Sequence, residues 1–169
     1  VRLPARRLAP VRQVGFEGVA WQLVEQPAVA VLAEPVDVLA RVAGIKRAVL
    51  TGRHSAIVAR RVEELRFDGV KLGRFDKLAA LGEILVETDV EAAETLYLGD
   101  DLIDLPAMFE VGLAVGVPAA PSEVREHCDY VTAAAGGAGA VREVCDLVLK
   151  SAGIFGDALR KVAERAWMP

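Results

Sequence analysis

What most restricts the fold of this 169-residue chain is the regular alternation, from about residue 35 onward, of short apolar runs with longer helical segments. Arg47 to Leu50, Gly69 to Leu72, Thr95 to Leu98, Leu113 to Val117 and Tyr130 to Thr132 are too short for helices and read as strands. Between and after them, Pro35 to Ala43, His54 to Leu65, Phe75 to Glu87, Pro121 to His127 and Val141 to Lys150 read as helices, and Gly156 to Trp167 as a terminal one. In the second of these, Ile57, Val58, Val62 and Leu65 share one face. Strands joined through helices lie parallel, and a parallel sheet needs cover on both faces. Hydrophobic residues make up 53% of the chain and aromatics only 5%, a small-aliphatic core suited to that arrangement. The expected fold is α/β, a parallel sheet between two helical layers.

Upstream of the alternation, Val11 to Phe16 reads as a first strand. Gly18 to Val24 and Ala28 to Ala33 read as the arms of a β-hairpin over about residues 18–33, turning at Glu25-Gln26-Pro27. Residues 1–10 are expected to form a loosely ordered leader, since Val1 to Arg12 carries Arg2, Arg6, Arg7 and Arg12 without a continuous apolar segment. Residues 11–169 then make a single domain, with a C-terminal tail over about 152–169. A net charge of −4 gives no general attraction to nucleic acid or anionic membranes. No apolar run approaches the roughly 18 residues of a membrane span. Cys128 and Cys145 lack metal-ligand spacing and are expected to be buried free thiols of a cytoplasmic protein.

The chemistry concentrates where Leu96-Tyr97-Leu98 ends in Gly99, Asp100, Asp101 and Asp104. Three acids so close repel one another unless a cation sits among them, and oxygen ligands suit Mg²⁺. The plain alternative is a solvated acidic turn. Against it stands the location, because α/β sheets place ligand sites just past the carboxyl ends of strands. Thr51 ends one strand beside Gly52 and Arg53, and Lys77 heads a helix, so both belong on the same rim. A hydroxyl and an ammonium there suit a phosphate, although each alone also suits a turn former or a solvated helix residue.

The order Thr51-Gly52-Arg53, Lys77, then Gly99-Asp100-Asp101-x-x-Asp104 resembles the haloacid dehalogenase superfamily, and within it the 3-deoxy-D-manno-octulosonate 8-phosphate phosphatase family. Leu50 to Arg53, Tyr97 to Pro106, Val111 to Val115, Asp129 to Thr132 and Gly136 to Glu143 look like that family's segments in its order, and the likeness runs from Gly44 to about Ser151. The resemblance implies a Rossmann-like three-layer sandwich with a small hairpin, Mg²⁺ as cofactor and a phosphorylated sugar acid as ligand. It further implies a homotetramer packed through the hairpin. Thr51, Gly52, Arg53 and Lys77 would contact phosphate, and Arg142 would approach a neighbouring subunit's bound anion. Asp100, Asp101 and Asp104 would hold or support the metal.

Such enzymes carry Asp-x-Asp-Gly at the end of the first strand, where the first Asp attacks phosphorus and the second serves as acid and base. The corresponding segment here, Val14 to Val19, has Gly15 in the first position and Glu17 in the second. Loss of a nucleophile acting with its catalytic unit costs about 10⁴ to 10⁶ in rate. Two functions follow. One is a protein that keeps the scaffold, binding Mg²⁺ and phosphate or a sugar-acid phosphate with impaired or absent turnover, as a binding or assembly subunit. The other is a working phosphomonoesterase in which Glu17 completes the metal site and activates water.

Overall fold

The computed structural model describes residues 29–31 and 38–164. In chain order the elements are β1 (Val29–Val31), α1 (Val38–Val42), β2 (Lys46–Thr51), α2 (Ala56–Glu64), β3 (Gly69–Leu72), α3 (Lys77–Thr88) and β4 (Thr95–Gly99). They continue with α4 (Leu105–Met108), β5 (Leu113–Gly116), α5 (Ser122–Arg125), β6 (Tyr130–Val131), α6 (Ala140–Ser151) and α7 (Phe155–Ala163). The strands form one sheet in the order β3-β2-β1-β4-β5-β6, and every pairing is parallel. The chain thus runs outward from β1 through β2 to β3, then returns to the other side of β1 for β4, β5 and β6. That reversal creates a crevice at the carboxyl ends of the central strands, between the β2 and β4 turns.

Alternation along β4 shows how the sheet joins two cores. Leu96 packs with Val115 and Val144 toward α6, while Tyr97 faces the opposite side with Leu81, Ile84 and Met108 of α3 and α4. A third cluster unites Leu39 and Ala40 of α1 with Cys145 and Leu149 of α6 and Ala158 of α7. Both cysteines are buried and neither forms a disulfide among the described residues, as expected. Each strand expected from Arg47 onward is present. Ser55 caps α2 and Asp76 caps α3, each side chain accepting from a backbone N–H of the first turn. The short helix α4 was not anticipated, because Pro106 sits inside it; as a first-turn residue it forfeits no helical hydrogen bond.

The largest difference lies at β1. Residues 18–33 were expected to form a hairpin, and 18–28 lie outside the described residues, as do the leader and the strand Val11 to Phe16. Val29–Val31, however, is central to the sheet, with β2 along one edge and β4 along the other, both parallel. With both edges occupied, those three residues have none left for an antiparallel hairpin partner.

Candidate functional site

Two turns meet at the crevice. Thr51 ends β2, and its side-chain oxygen accepts from the N–H of Arg53 at 3.1 Å, fixing the Thr51-Gly52-Arg53 bend. The β3–α3 turn is fastened to this bend by two backbone bonds, Arg74 N–H to Thr51 O at 3.0 Å and Gly73 N–H to Arg53 O at 3.2 Å. Arg53 and His54 are exposed. Among the described residues the Arg53 guanidinium has no ion-pair partner, so it is available to an anion.

Lys77 opens α3 and is buried, an unusual place for an ammonium. Its Nζ donates to Leu50 O at 3.2 Å and lies 3.2 Å from Asp104 Oδ1, so one side chain ties the β2 end to the acidic turn. Asp104 is itself buried and receives four donors. Oδ1 meets the Tyr97 hydroxyl at 2.8 Å as well as Lys77, and Oδ2 takes the N–H groups of Asp100 at 3.1 Å and Asp101 at 3.3 Å. Gly99 permits this approach, since a Cβ there would lie 2.9 Å from both the Asp104 Cβ and the Met108 sulfur. Burial and then the adjacent Asp104 carboxylate hold the Tyr97 hydroxyl well above its ordinary pKa, so it stays protonated and donating.

The three acids therefore have different duties. Asp104 faces inward and shapes the turn. Asp101 is exposed and caps the turn following it, its Oδ1 accepting from Leu102 N–H at 2.6 Å. Asp100 is exposed directly beyond β4, its backbone N–H held by Asp104 and its carboxylate given no capping duty. This donor set fits a hard cation only in part: Asp100 and Asp101 carry exposed carboxylates of suitable chemistry, but no three acidic or imidazole or thiol side chains among the described residues form a metal site.

Thr51, Gly52, Arg53, Lys77, Asp100, Asp101 and Asp104 thus fall on one rim, as their order in the sequence implies. Arg142 lies on α6, its guanidinium 2.8 Å from Asp146. Gly15 and Glu17 lie outside the described residues. Tyr97 went unread in the sequence, where it looks like a core aromatic. A tyrosine inside an apolar strand one turn before buried acid is nonetheless a signal, because its hydroxyl must find a partner.

A family model of haloacid dehalogenase-like hydrolases matches residues 67–144. The 3-deoxy-D-manno-octulosonate 8-phosphate phosphatase of Haemophilus influenzae is 39% identical over 98 residues, which are 58% of this chain and 54% of that protein. The chain spans about half the length of the curated relatives it matches. The crystal structure of the phosphatase of that name from Moraxella catarrhalis, in complex with magnesium, phosphate and KDO, superposes with a TM-score of 0.72. There the identity is 32%, and the match covers 82% of this chain and 93% of the other. The cobalt-bound Haemophilus influenzae enzyme gives a TM-score of 0.72 at 29% identity, covering 78% of this chain and 92% of that one.

Proposed function

Because the chain belongs to the haloacid dehalogenase superfamily, within its 3-deoxy-D-manno-octulosonate 8-phosphate phosphatase family, we propose that it binds a divalent cation and a phosphate or phosphorylated sugar acid at the carboxyl rim, with impaired or absent turnover. The observation that carries this reading is the bond set joining Leu50, Lys77, Asp104, Tyr97 and Asp100. These bonds fix the backbone from which Asp100 projects, and the neighbouring bend presents the Thr51 hydroxyl and an exposed guanidinium, the groups an anion and its cation need. Mg²⁺ bound there would offset phosphate charge and polarise a phosphoryl oxygen. Asp100 and Asp101 are its proposed ligands, Thr51 and Arg53 bind the phosphate oxygens, and the Lys77 ammonium, paired with Asp104, offsets carboxylate charge behind them.

A further carboxylate must come from outside the described residues. Glu17 is the one proposed from the sequence. Glu17 does not restore the nucleophile expected in place of Gly15, which is why turnover is proposed to be weak or absent.

Calorimetric titration of Mg²⁺ and inorganic phosphate into the protein tests the binding, and phosphate release from 3-deoxy-D-manno-octulosonate 8-phosphate tests turnover. We expect phosphate binding that weakens in Asp100→Ala, turnover at least about 10⁴-fold below an intact catalytic unit, and a gain in Gly15→Asp. Rapid turnover abolished by Glu17→Ala would instead establish the water-activating hydrolase. No phosphate binding under any metal condition would overturn the site.

A further inference from the structure

The Phe75 ring is 73% exposed although its position is firmly set. The residue before it is tied to Thr51 through its N–H at 3.0 Å, and its own carbonyl accepts from Lys77 N–H at 3.0 Å at the start of α3. The ring rests against the bend that ends β2: a Cβ built on Gly52 would meet its Cε1 at 3.0 Å and Cδ1 at 3.3 Å. Gly52 thus leaves room for an aromatic wall beside the Thr51 hydroxyl and the Arg53 guanidinium. A lone exposed aromatic means little, but one seated on the anion-binding bend and open on its other side does more. Small-molecule sites pair a few polar groups with such apolar walls.

We propose that Phe75 is a specificity-determining residue, whose open face packs on the C–H groups of the organic part of a phosphorylated sugar while the bend takes the phosphate. The inference rests on the anion site proposed above and adds what that site recognises beyond phosphate. The aromatic face is electron-rich and attracts the weakly positive C–H edge of a sugar, whereas inorganic phosphate offers the ring nothing. Phe75 therefore acts on the ratio of two affinities.

The test is calorimetric titration of the full chain with Mg²⁺, using inorganic phosphate and a non-hydrolysable phosphonate analogue of 3-deoxy-D-manno-octulosonate 8-phosphate. The wild type should prefer the analogue, Phe75→Ala should narrow that preference about three- to tenfold, and Phe75→Tyr should keep it. An unchanged ratio in Phe75→Ala, with phosphate still bound, overturns the inference and leaves the anion site standing. Absence of phosphate binding in the wild type overturns both. Thermal melting of Phe75→Ala should match the wild type; a fall of more than about 5 °C would show a packing role and sink the proposal.

Discussion

Asp104 decides the geometry of the acidic turn through its own four acceptor contacts. Removing its charge leaves the equally buried Lys77 ammonium with neutral acceptors alone, the Leu50 carbonyl and an amide oxygen in place of the carboxylate. Breaking a buried pair from one side costs about 3–5 kcal/mol, because the other charge is left uncompensated. Asp104→Asn should therefore lower the melting temperature by roughly 10 °C. Tyr97→Phe removes one neutral donor of the same carboxylate and should cost only about 0.5–1.5 kcal/mol. Thermal unfolding followed by circular dichroism separates the two, and equal losses would show that the pairing with Lys77 adds nothing. At this scale the sequence is legible where residue order carries the meaning, as with Thr51, Lys77 and Asp100. It is illegible where one side chain must be known to lie on another. Phe75, between Arg74 and Asp76, reads only as the start of a helix, and its contact with Gly52 depends on two turns meeting across the sheet.

Among the elements, Ala133 to Ala140 reads in the sequence as a small-residue, glycine-containing loop, and the structure shows that α6 anchors its entry. Glu143 accepts from the Tyr130 hydroxyl at 2.5 Å, from Ala133 N–H at 2.9 Å and from Ala134 N–H at 2.8 Å. Bonds to a carboxylate are stronger than neutral ones, and this one joins β6, the loop and α6. Glu143→Ala leaves both amides to solvent and should speed their hydrogen exchange by about 10- to 100-fold, with amides of β4 unaffected. Uniform acceleration across the sheet would mean global destabilisation and would refute a local anchor. The strands beyond Arg47 and the longer helices between them were legible because alternation and periodicity are local, whereas four-residue α4, with Pro106 in its first turn, was not. The role of Val29–Val31 was not: an apolar run of that length suits a hairpin arm or a central strand equally, and only pairing with β2 and β4 tells them apart.

For the whole molecule, acid stability follows from carboxylates whose surroundings favour the charged form. Burial alone would raise the Glu143 carboxyl, but its bonds from Tyr130, Ala133 and Ala134 outweigh that and hold it below the ordinary 4.5. Bonds from Arg74, then Lys71, push Glu83 on α3 down to about 2. A carboxyl lowered in the folded state binds its proton later than the unfolded chain does. Its contribution is present above about pH 4.5 and is lost as pH falls through the folded value. Melting temperature should therefore decline on acidification from about pH 4.5 toward 2. Glu83 lies on the exposed face of α3, so its share is screened by salt, whereas the partly buried anchor at Glu143 is screened less. Melting curves from pH 6 to 2 at low and at about 0.5 M salt should show Glu143→Gln flattening the acid decline in both, and Glu83→Gln only at low salt. The reverse pattern would place the acid sensitivity on the α3 surface and leave the loop anchor without a part in it.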